Sequence, residues 1–323
     1  MNVISPNIKC ILDIKLTHGE GVFWDYKNNL LYFVDILDPH LHIYNVTNKN
    51  HDIYKFDEAI GFVIPCEKSN KLLVGLSSGL YFIEIKKKPN SSIRLNIKSI
   101  INYKIKNKII NPEENLENNR FNDAKCDAKG RLWVGTMDFD VKTQSGNLYC
   151  LDNDLKISLK DSNYWITNGP TWSVDNKYLY HNETQDGIIY KFDFDLENGN
   201  ISNKKVFFDF NLANINLANI NTLGSPDGMT TDSNNNLWVA CATGGKIICI
   251  NPDGEIIYLI NMPVEFITSC AFGGENLDKL YVVTSRLLPE SNLKNQPTAG
   301  GVFEVDLSEF NITGLKANFF IDN

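Results

Sequence analysis

A short alternation of turn residues and apolar residues occurs six times along the chain. Each copy begins with turn residues and continues with Leu and further aromatic, aliphatic or small residues, as in GRLWVG at 130–135 and NNLWVA at 235–240. The aligned leucines are 41 to 60 residues apart and are Leu31, Leu72, Leu132, Leu179, Leu237 and Leu280. Periods of about 40–50 residues built from short strands are typical of β-propellers. The pattern therefore predicts an all-β fold, a six-bladed β-propeller.

Runs of β-branched and aromatic residues between turn residues predict the strands themselves. The predicted strands are 32–36, 80–85, 132–136, 188–194, 237–241, 246–251, 279–284 and 302–305. Residues 242–245, with sequence ATGG, predict a hairpin loop between two of them. Because a blade cannot bury its faces alone, we expect one propeller domain over 1–323, with its core at roughly 14–308.

Two stretches are predicted as insertions into this ring. Residues 86–118 are rich in Lys, Asn and Glu and predict an outer strand plus a loop. Residues 211–223 repeat the sequence NLANIN and predict a connector or lid.

The composition limits which binding partners and which cell compartment are expected for this chain. The 323 residues are 43% hydrophobic, carry a net charge of −8 and lack the basic clustering of a nucleic-acid face. No apolar run approaches the ~20 residues of a membrane span, and residues 1–10 lack a signal-peptide core. The seven cysteines are scattered without a CxxC pair, which indicates free thiols. We expect a cytoplasmic protein, a monomer or weak dimer, with neither nucleic-acid nor membrane partners.

Four segments interrupt the apolar repeat with polar residues beside glycine or on a strand edge: 18–21, 119–123, 167–170 and 225–229. Glu20 and Asn168 each lie 11 residues before the leucine of their repeat, and Asn122 and Asp227 lie 10 residues before theirs. Equal offsets in equivalent blades imply equivalent positions in space, so these four side chains are expected to face one centre. Each motif taken singly is also a common turn sequence.

Two carboxylates and two carboxamides form an oxygen-only set of donors. Such a set suits Ca²⁺, Mg²⁺ or Mn²⁺, and suits Zn²⁺ less well because His and Cys are absent from it. A dication also removes the repulsion between Glu20 and Asp227 in a poorly solvated well. The sequence predicts one divalent metal ion as cofactor and leaves open whether it is Ca, Zn, Mn, Mg or Fe.

From about residue 14 to about residue 308 the chain resembles the gluconolactonase / regucalcin family, also called senescence marker protein 30. The segments that carry the resemblance are 19–21 with 24–25, 119–123, 130–137, 168–169 with 172–173, 226–229, 263–264 with 268–269, 272–274, and 296–297 with 299–301. The family has six-bladed propellers with lactone-hydrolase activity. The chain departs from the usual family residues at Val22, Ala124 and Pro170.

The resemblance implies that Glu20, Asn168 and Asp227 hold the metal. In organophosphatase-like members the residue matching Asn122 also reaches the ion. It further implies that Asp227 acts as general base or nucleophile.

The resemblance also implies that Arg120 and Asn122 bind substrate, with help from Asp140. Asp140 is one methylene shorter than the Glu that the family has at this position. The segments 138–146 and 211–223 are expected to decide which substrate is taken.

The predicted function is a divalent-metal-dependent hydrolase that opens sugar lactones, through polarisation of the lactone carbonyl at the ion and attack of water. The expected partner is a small-molecule sugar lactone. One alternative is a calcium-binding regulatory protein of regucalcin type with little turnover. A second is a hydrolase of another ester, such as an organophosphate. Arg120 and Asn122 favour an enzyme, because a calcium buffer needs no substrate clamp.

Overall fold

Six antiparallel sheets are arranged around one axis in a computed structural model that describes residues 1–85, 103–216 and 222–323. The chain begins with two short strands, β1 (Asn2–Ile4) and β2 (Asn7–Leu12). Blade one contains β3 (Gly19–Asp25), β4 (Leu30–Asp35), β5 (His40–Asn45) and β6 (His51–Lys55). Blade two contains β7 (Ile60–Pro65), β8 (Lys71–Leu76), β9 (Gly79–Ile85) and β10 (Tyr103–Ile110). Blade three contains β11 (Asn119–Cys126), β12 (Leu132–Asp138), β13 (Gly146–Leu151) and β14 (Ile157–Tyr164).

The second half of the ring repeats this plan. Blade four contains β15 (Thr167–Trp172), β16 (Tyr178–Glu183), β17 (Ile188–Asp195) and β18 (Asn200–Asp209). A short helix, α1 (Phe210–Asn216), follows it. Blade five contains β19 (Ser225–Thr231), β20 (Leu237–Ala242), β21 (Lys246–Ile250) and β22 (Ile256–Asn261). Blade six contains β23 (Ile267–Gly273) and β24 (Lys279–Thr284), then α2 (Glu290–Leu293), then β25 (Val302–Asp306), with a 3-10 helix (Ser308–Phe310) after it.

The ring closes through the N-terminal strands. Blade six has only three strands of its own, and β2 supplies the fourth by pairing antiparallel with β25, from Asn7 opposite Asp306 to Leu12 opposite Val302. Strand β1 adds a parallel fifth strand to β22 of blade five. Residues 2–12 therefore belong to the blades, although they precede the range of roughly 14–308 that the repeat predicts.

The repeat leucines explain why these segments form blades. All six lie on the second strand of a blade and are at most 5% exposed. The predicted six-bladed all-β fold is confirmed, and the eight predicted strands coincide with β4, β9, β12, β17, β20, β21, β24 and β25 within two residues at each end. The hairpin predicted at 242–245 joins β20 to β21.

The two predicted insertions lie partly outside the described residues. Of 86–118, residues 86–102 are outside, and β10 is the predicted outer strand of blade two. Of 211–223, residues 217–221 are outside, and the earlier part continues α1. In the described part of the chain no helix is long and apolar enough to span a membrane. The seven cysteines are free thiols.

The turn that joins β11 to β12 depends on one buried carboxylate. Asp127 accepts hydrogen bonds from the Trp133 indole N–H at 2.9 Å, from Arg131 Nε at 2.7 Å and from main-chain N–H groups of the turn. Asp232 accepts the Trp238 indole N–H at 3.0 Å in the same way in blade five. The carboxylate thus satisfies buried donors that the tight turn leaves without main-chain acceptors.

We expect Asp127→Ala to lower the free energy of unfolding by about 3–5 kcal/mol, because it leaves a buried guanidinium and an indole N–H without their acceptor. Denaturant unfolding followed by tryptophan fluorescence measures the change. The matched control is Asp253→Ala, at an exposed carboxylate on the turn between β21 and β22. Equal stability of the two variants would contradict the assigned role of Asp127.

Candidate active site and metal centre

The innermost strand of each blade loses register with its neighbour near the axis. Such β-bulges re-aim side chains and commonly occur beside functional sites. The polar residues found at equal distances from the repeat leucines therefore lie at equivalent register shifts in their blades. The shifts lie between Glu20 and Phe23, Ile60 and Phe62, Phe121 and Ala124, Asn168 and Thr171, Pro226 and Met229, and Ile267 and Ser269.

Glycine permits this geometry at two of the bulges. Gly21 and Gly169 have φ of 59° and 53°, in the left-handed region that favours glycine. A Cβ at Gly169 would lie 2.9 Å from the main-chain nitrogen of Met229 on the next blade. The bulges of blades four and five can approach each other this closely only without a side chain at that position.

Glu20 and Asp227 are 3% and 4% exposed, and each carboxyl group shifts the pKa of the other. Burial, followed by the neighbouring Asp123 carboxylate, raises the pKa of Glu20 to about 8. Burial, followed by Glu20, raises the pKa of Asp227 well above its usual value. Asp227 Oδ1 is buried and receives no hydrogen bond from the described residues. Two buried carboxyl groups that interact in this way are stabilised by a bound proton or by a nearby cation.

A chain of amide contacts continues from these carboxyl groups around the axis. Arg120 Nη1 donates to Asn122 Oδ1 at 2.6 Å, and Asn122 Nδ2 donates to Asn168 Oδ1 at 2.8 Å. Asn168 Nδ2 donates to Thr184 Oγ1 at 2.9 Å, which fixes the orientation of this amide. The Asn168 oxygen therefore faces Asn122. Glu20, Arg120, Asn122, Asn168 and Asp227 together form the polar well at the axis.

Arg120 is a cation held close to the two carboxyl groups. It is 8% exposed, and burial lowers the pKa of its guanidinium to about 10 while Glu20 and Asp227 oppose that shift. Its Nε is buried and has no hydrogen-bond acceptor in the described part of the chain. This N–H is available to an acceptor atom of a ligand.

A second acid–base pair lies next to this set. Asp123 is 3% exposed and accepts the main-chain N–H of Gly169 at 2.7 Å and that of Ala124 at 2.8 Å. The Lys125 ammonium interacts with Asp123 and Glu20 and donates to the main-chain oxygen of Met229. Lys125 itself is partly exposed, and burial of its ammonium lowers its pKa.

His18 borders the site as a neutral imidazole. Burial and the nearby Arg120 lower the pKa of its ring to about 3. Its Nδ1 lies 3.0 Å from Ser285 Oγ, and this hydroxyl donates to the main-chain oxygen of Thr17. The Nδ1–H therefore donates to Ser285, which ties blade six to blade one.

The loop after β12 forms part of the mouth. Asp140 is exposed and bonds Lys142 Nζ through Oδ2 at 2.9 Å. Phe139 is 41% exposed, and its ring centroid is 5.5 Å from the Arg120 guanidinium carbon. Asp138 anchors the loop by accepting the hydroxyl and main-chain N–H of Thr143 at 2.7 and 2.9 Å.

The donor set fits a divalent ion. Glu20 and Asp227 supply carboxylate oxygens, one of which has no hydrogen-bond donor in the described part of the chain, and Asn168 supplies an amide oxygen. Within the described residues there is no group of three or more His, Cys, Asp or Glu side chains arranged to hold a metal, so the amide oxygen is needed to complete the set. The Asn122 oxygen accepts one hydrogen bond from Arg120 and the Asn168 oxygen accepts one from Asn122, so each amide oxygen keeps a second lone pair.

Sequence patterns did not identify three further residues of the site. Asp123 and Lys125 lie within or next to a recognised segment but have no equivalent at the same offset in the other blades. Asn182 donates from Nδ2 to the main-chain oxygen of Asp227, and its buried Oδ1 has no donor among the described residues. These contacts join different blades or different strands, and no spacing along the chain signals them.

Comparisons with known proteins agree with this architecture. The sequence profile of the SMP-30/Gluconolactonase/LRE-like region matches residues 18–286. A Bacillus subtilis (strain 168) protein with the provisional name sugar lactone lactonase YvrE is 31% identical over 297 residues, which cover 91% of this chain and 93% of that protein. Regucalcin of Homo sapiens is 30% identical over 309 residues, covering 93% and 94%. The solved luciferin-regenerating enzyme superposes with a TM-score of 0.85 at 30% identity, covering 98% of this chain and 100% of that one.

The raised pKa of Glu20 generates a prediction for the metal-free protein. Between pH 4.5 and about 8 the folded protein keeps a proton that the unfolded chain has released, so ionisation of Glu20 lowers the free energy of unfolding as the pH rises. We expect the Glu20→Gln variant not to show this decrease in the free energy of unfolding, because Gln does not ionise. The free energy of unfolding of the variant minus that of the wild type should therefore increase from pH 5 to pH 8, measured by denaturant titration with chelator present.

Subtracting the wild-type free energy of unfolding from that of Glu20→Gln separates the effect of Glu20 from the effect of the histidines. His18 and His181 have pKa values lowered to about 3, so both stabilise the fold increasingly as the pH rises toward 6.5, but they do so equally in both proteins. Glu275→Gln, at an exposed position, is the control and should leave the pH profile unchanged. If the difference between the two free energies of unfolding stays constant with pH, then Glu20 does not hold the extra proton.

Proposed function

The chain belongs to the SMP-30/gluconolactonase/LRE-like family, and on that premise we propose that it is a divalent-metal-dependent hydrolase that opens sugar lactones. The observation that carries the proposal is the apposition of the Glu20 and Asp227 carboxyl groups, with an unpartnered Asp227 oxygen, beside the buried cation Arg120. A structural ion pair needs one acid and one base. This well instead has two buried acids that interact, Glu20 and Asp227, and a cation, Arg120, whose Nε–H has no acceptor in the described part of the chain.

In this proposal Glu20, Asn168 and Asp227 hold the ion. A bound dication supplies Lewis-acid polarisation of the lactone carbonyl and eases deprotonation of water. The oxygen-only set leaves Ca²⁺, Mn²⁺, Mg²⁺, Zn²⁺ and Fe²⁺ as candidates, with the first three favoured by ligand hardness.

Asp227 is the proposed general base. Its Oδ1 accepts the proton of the attacking water, and Asn182 Nδ2 fixes the main chain at this residue by donating to its main-chain oxygen. The water oxygen bonds to the carbonyl carbon and the ring C–O bond breaks. The proton then passes to the leaving alkoxide, which gives a hydroxy acid.

Arg120 and Asn122 are the proposed substrate clamp. The free Nε–H of Arg120 donates to the oxygen on which negative charge develops, and burial of the guanidinium strengthens that interaction. Asn122 is oriented by its bonds to Arg120 and Asn168. Asp140, at the exposed mouth, is proposed to accept a substrate hydroxyl in exchange for its bond to Lys142.

The names of the relatives support a lactone as substrate class. The Bacillus subtilis relative is provisionally named a sugar lactone lactonase. The ring of Phe139 beside Arg120 offers an apolar face next to a hydrogen-bond donor, a combination that suits the alternating C–H and O–H groups of a sugar ring.

We expect the metal-free protein to be inactive and to regain turnover when a divalent ion is restored. Acid release from glucono-, galactono- and xylono-lactones, followed by a pH indicator with Ca²⁺, Mn²⁺, Mg²⁺, Zn²⁺ or Fe²⁺ in turn, measures this. Metal binding without release from any lactone would support a regulatory calcium-binding protein instead. Release from a phosphotriester alone would support an organophosphate hydrolase.

Two substitutions separate chemistry from substrate handling. Asp227→Asn should abolish ion binding, seen by calorimetry, and lower kcat about 1,000-fold, because both the ligand charge and the base are lost. Arg120→Met should leave ion binding in place and lower kcat/KM about 100-fold, because the oxyanion donor is lost.

The control is Asp253→Asn, an exposed carboxylate of a turn in blade five, which should match the wild type in both assays. Full activity of Asp227→Asn would remove this residue, and the site built on it, from the proposal.

A further inference from the structure

We propose that the charges of Asp123 and Lys125, two neighbours on β11, together set the affinity of the well for its divalent ion. The inference rests on the metal site of the proposed function. It concerns two residues that none of the proposed steps uses, neither as a ligand nor as a substrate contact.

Asp123 is fixed by hydrogen bonds that cross between blades. It lies in the bulge of β11, and its Oδ2 accepts the N–H of Gly169, the residue that follows the proposed ligand Asn168. Its Oδ1 accepts the N–H of Ala124. Burial raises the pKa of Asp123, and the Lys125 ammonium and the two main-chain donors oppose that rise. When it is ionised, Asp123 adds a third negative charge beside Glu20 and Asp227.

Lys125 lies on the same strand, two residues further along, and its side chain crosses to blade five. There its ammonium donates to the main-chain oxygen of Met229, two residues beyond Asp227. It interacts electrostatically with Asp123, with Glu20 and with the thiol of Cys270. Lys125 makes no ion pair with a carboxylate in the described part of the chain, and its charge acts through space on Asp123 and Glu20.

The charges of the well can be counted. With the carboxyl groups ionised, as ion binding requires, Glu20, Asp123 and Asp227 are opposed by Arg120 and Lys125, which leaves one net negative charge. A dication converts this to one net positive charge, which suits a group on which one negative charge develops. At an effective dielectric constant of about 20, a unit charge within about 10 Å changes ion affinity by tenfold or more.

Arg120 and Lys125 also reduce the cost of placing three carboxyl groups around one axis. Like charges in a poorly solvated site are costly unless cations offset them. Arg120 and Lys125 approach the carboxyl groups from blade three, and each has a main-chain acceptor that anchors it, Phe121 oxygen for Arg120 and Met229 oxygen for Lys125.

A set of four proteins tests the inference by calorimetric titration of the chelated, metal-free chain with Ca²⁺ and with Mn²⁺. Lys125→Met removes a positive charge and should tighten ion binding about tenfold, which loss of a merely structural residue would not do. Asp123→Asn should weaken binding about tenfold. The double variant Asp123→Asn with Lys125→Met restores the net charge, so its Kd should lie within about threefold of the wild type.

Two controls accompany the set. Lys125→Arg keeps the charge and should keep the wild-type affinity. Lys279→Met removes a cation from a pair with Asp306 on blade six, and it changes the net charge of the protein equally without changing ion affinity. If Lys125→Met does not fold, the double variant and Asp123→Asn still decide, because the double variant should regain the affinity that Asp123→Asn loses.

The outcomes separate this inference from the function on which it rests. Ion binding by the wild type with equal or weaker affinity in Lys125→Met, or with unchanged affinity in Asp123→Asn, overturns the inference alone. Failure of the wild type to bind either ion overturns both the metal site and the inference.

Discussion

Two buried carboxyl groups that interact with each other are the constraint on which the rest of the site depends. Glu20 and Asp227 come from blades one and five, and burial raises the pKa of both. In such a place the ionised pair is stable only beside cations. The buried Arg120, the Lys125 ammonium and the amide chain through Asn122 and Asn168 are the means by which the protein organises that environment.

The propeller supplies the geometry because its six innermost strands surround one axis. Each inner strand has a register shift close to the same end, and the shifts turn polar side chains toward the centre. The residues that hold them come from neighbouring strands or blades: Thr184 orients the Asn168 amide, and Asn182 bonds the main chain of Asp227. Precision at the site is therefore a property of the closed ring.

Closure of the ring and stability of the blades rest on different interactions from those of the site. The blades are held by buried leucines on their second strands and by turn carboxylates such as Asp127, and the ring by β2 on β25. The well at the axis adds charge that opposes folding. A propeller can bear this cost because each blade buries a large apolar surface against its neighbours.

Sequence periodicity was sufficient to predict the six blades and eight of the strands, because equivalent residues of a repeat take equivalent positions in a ring. The same reasoning is the basis for the proposed convergence of Glu20, Asn122, Asn168 and Asp227 on one ion, which stays a prediction. The role of the N-terminal strands was not predictable, since pairing of β2 with β25 joins residues almost 300 positions apart. The same limit applied to Asp123, which binds Gly169 across a blade boundary, and to Lys125, which reaches Met229. Repetition within the chain determines which residues recur at the axis, whereas the hydrogen bonds and charges between blades exist only after the ring has closed, and they decide how those residues are oriented and compensated.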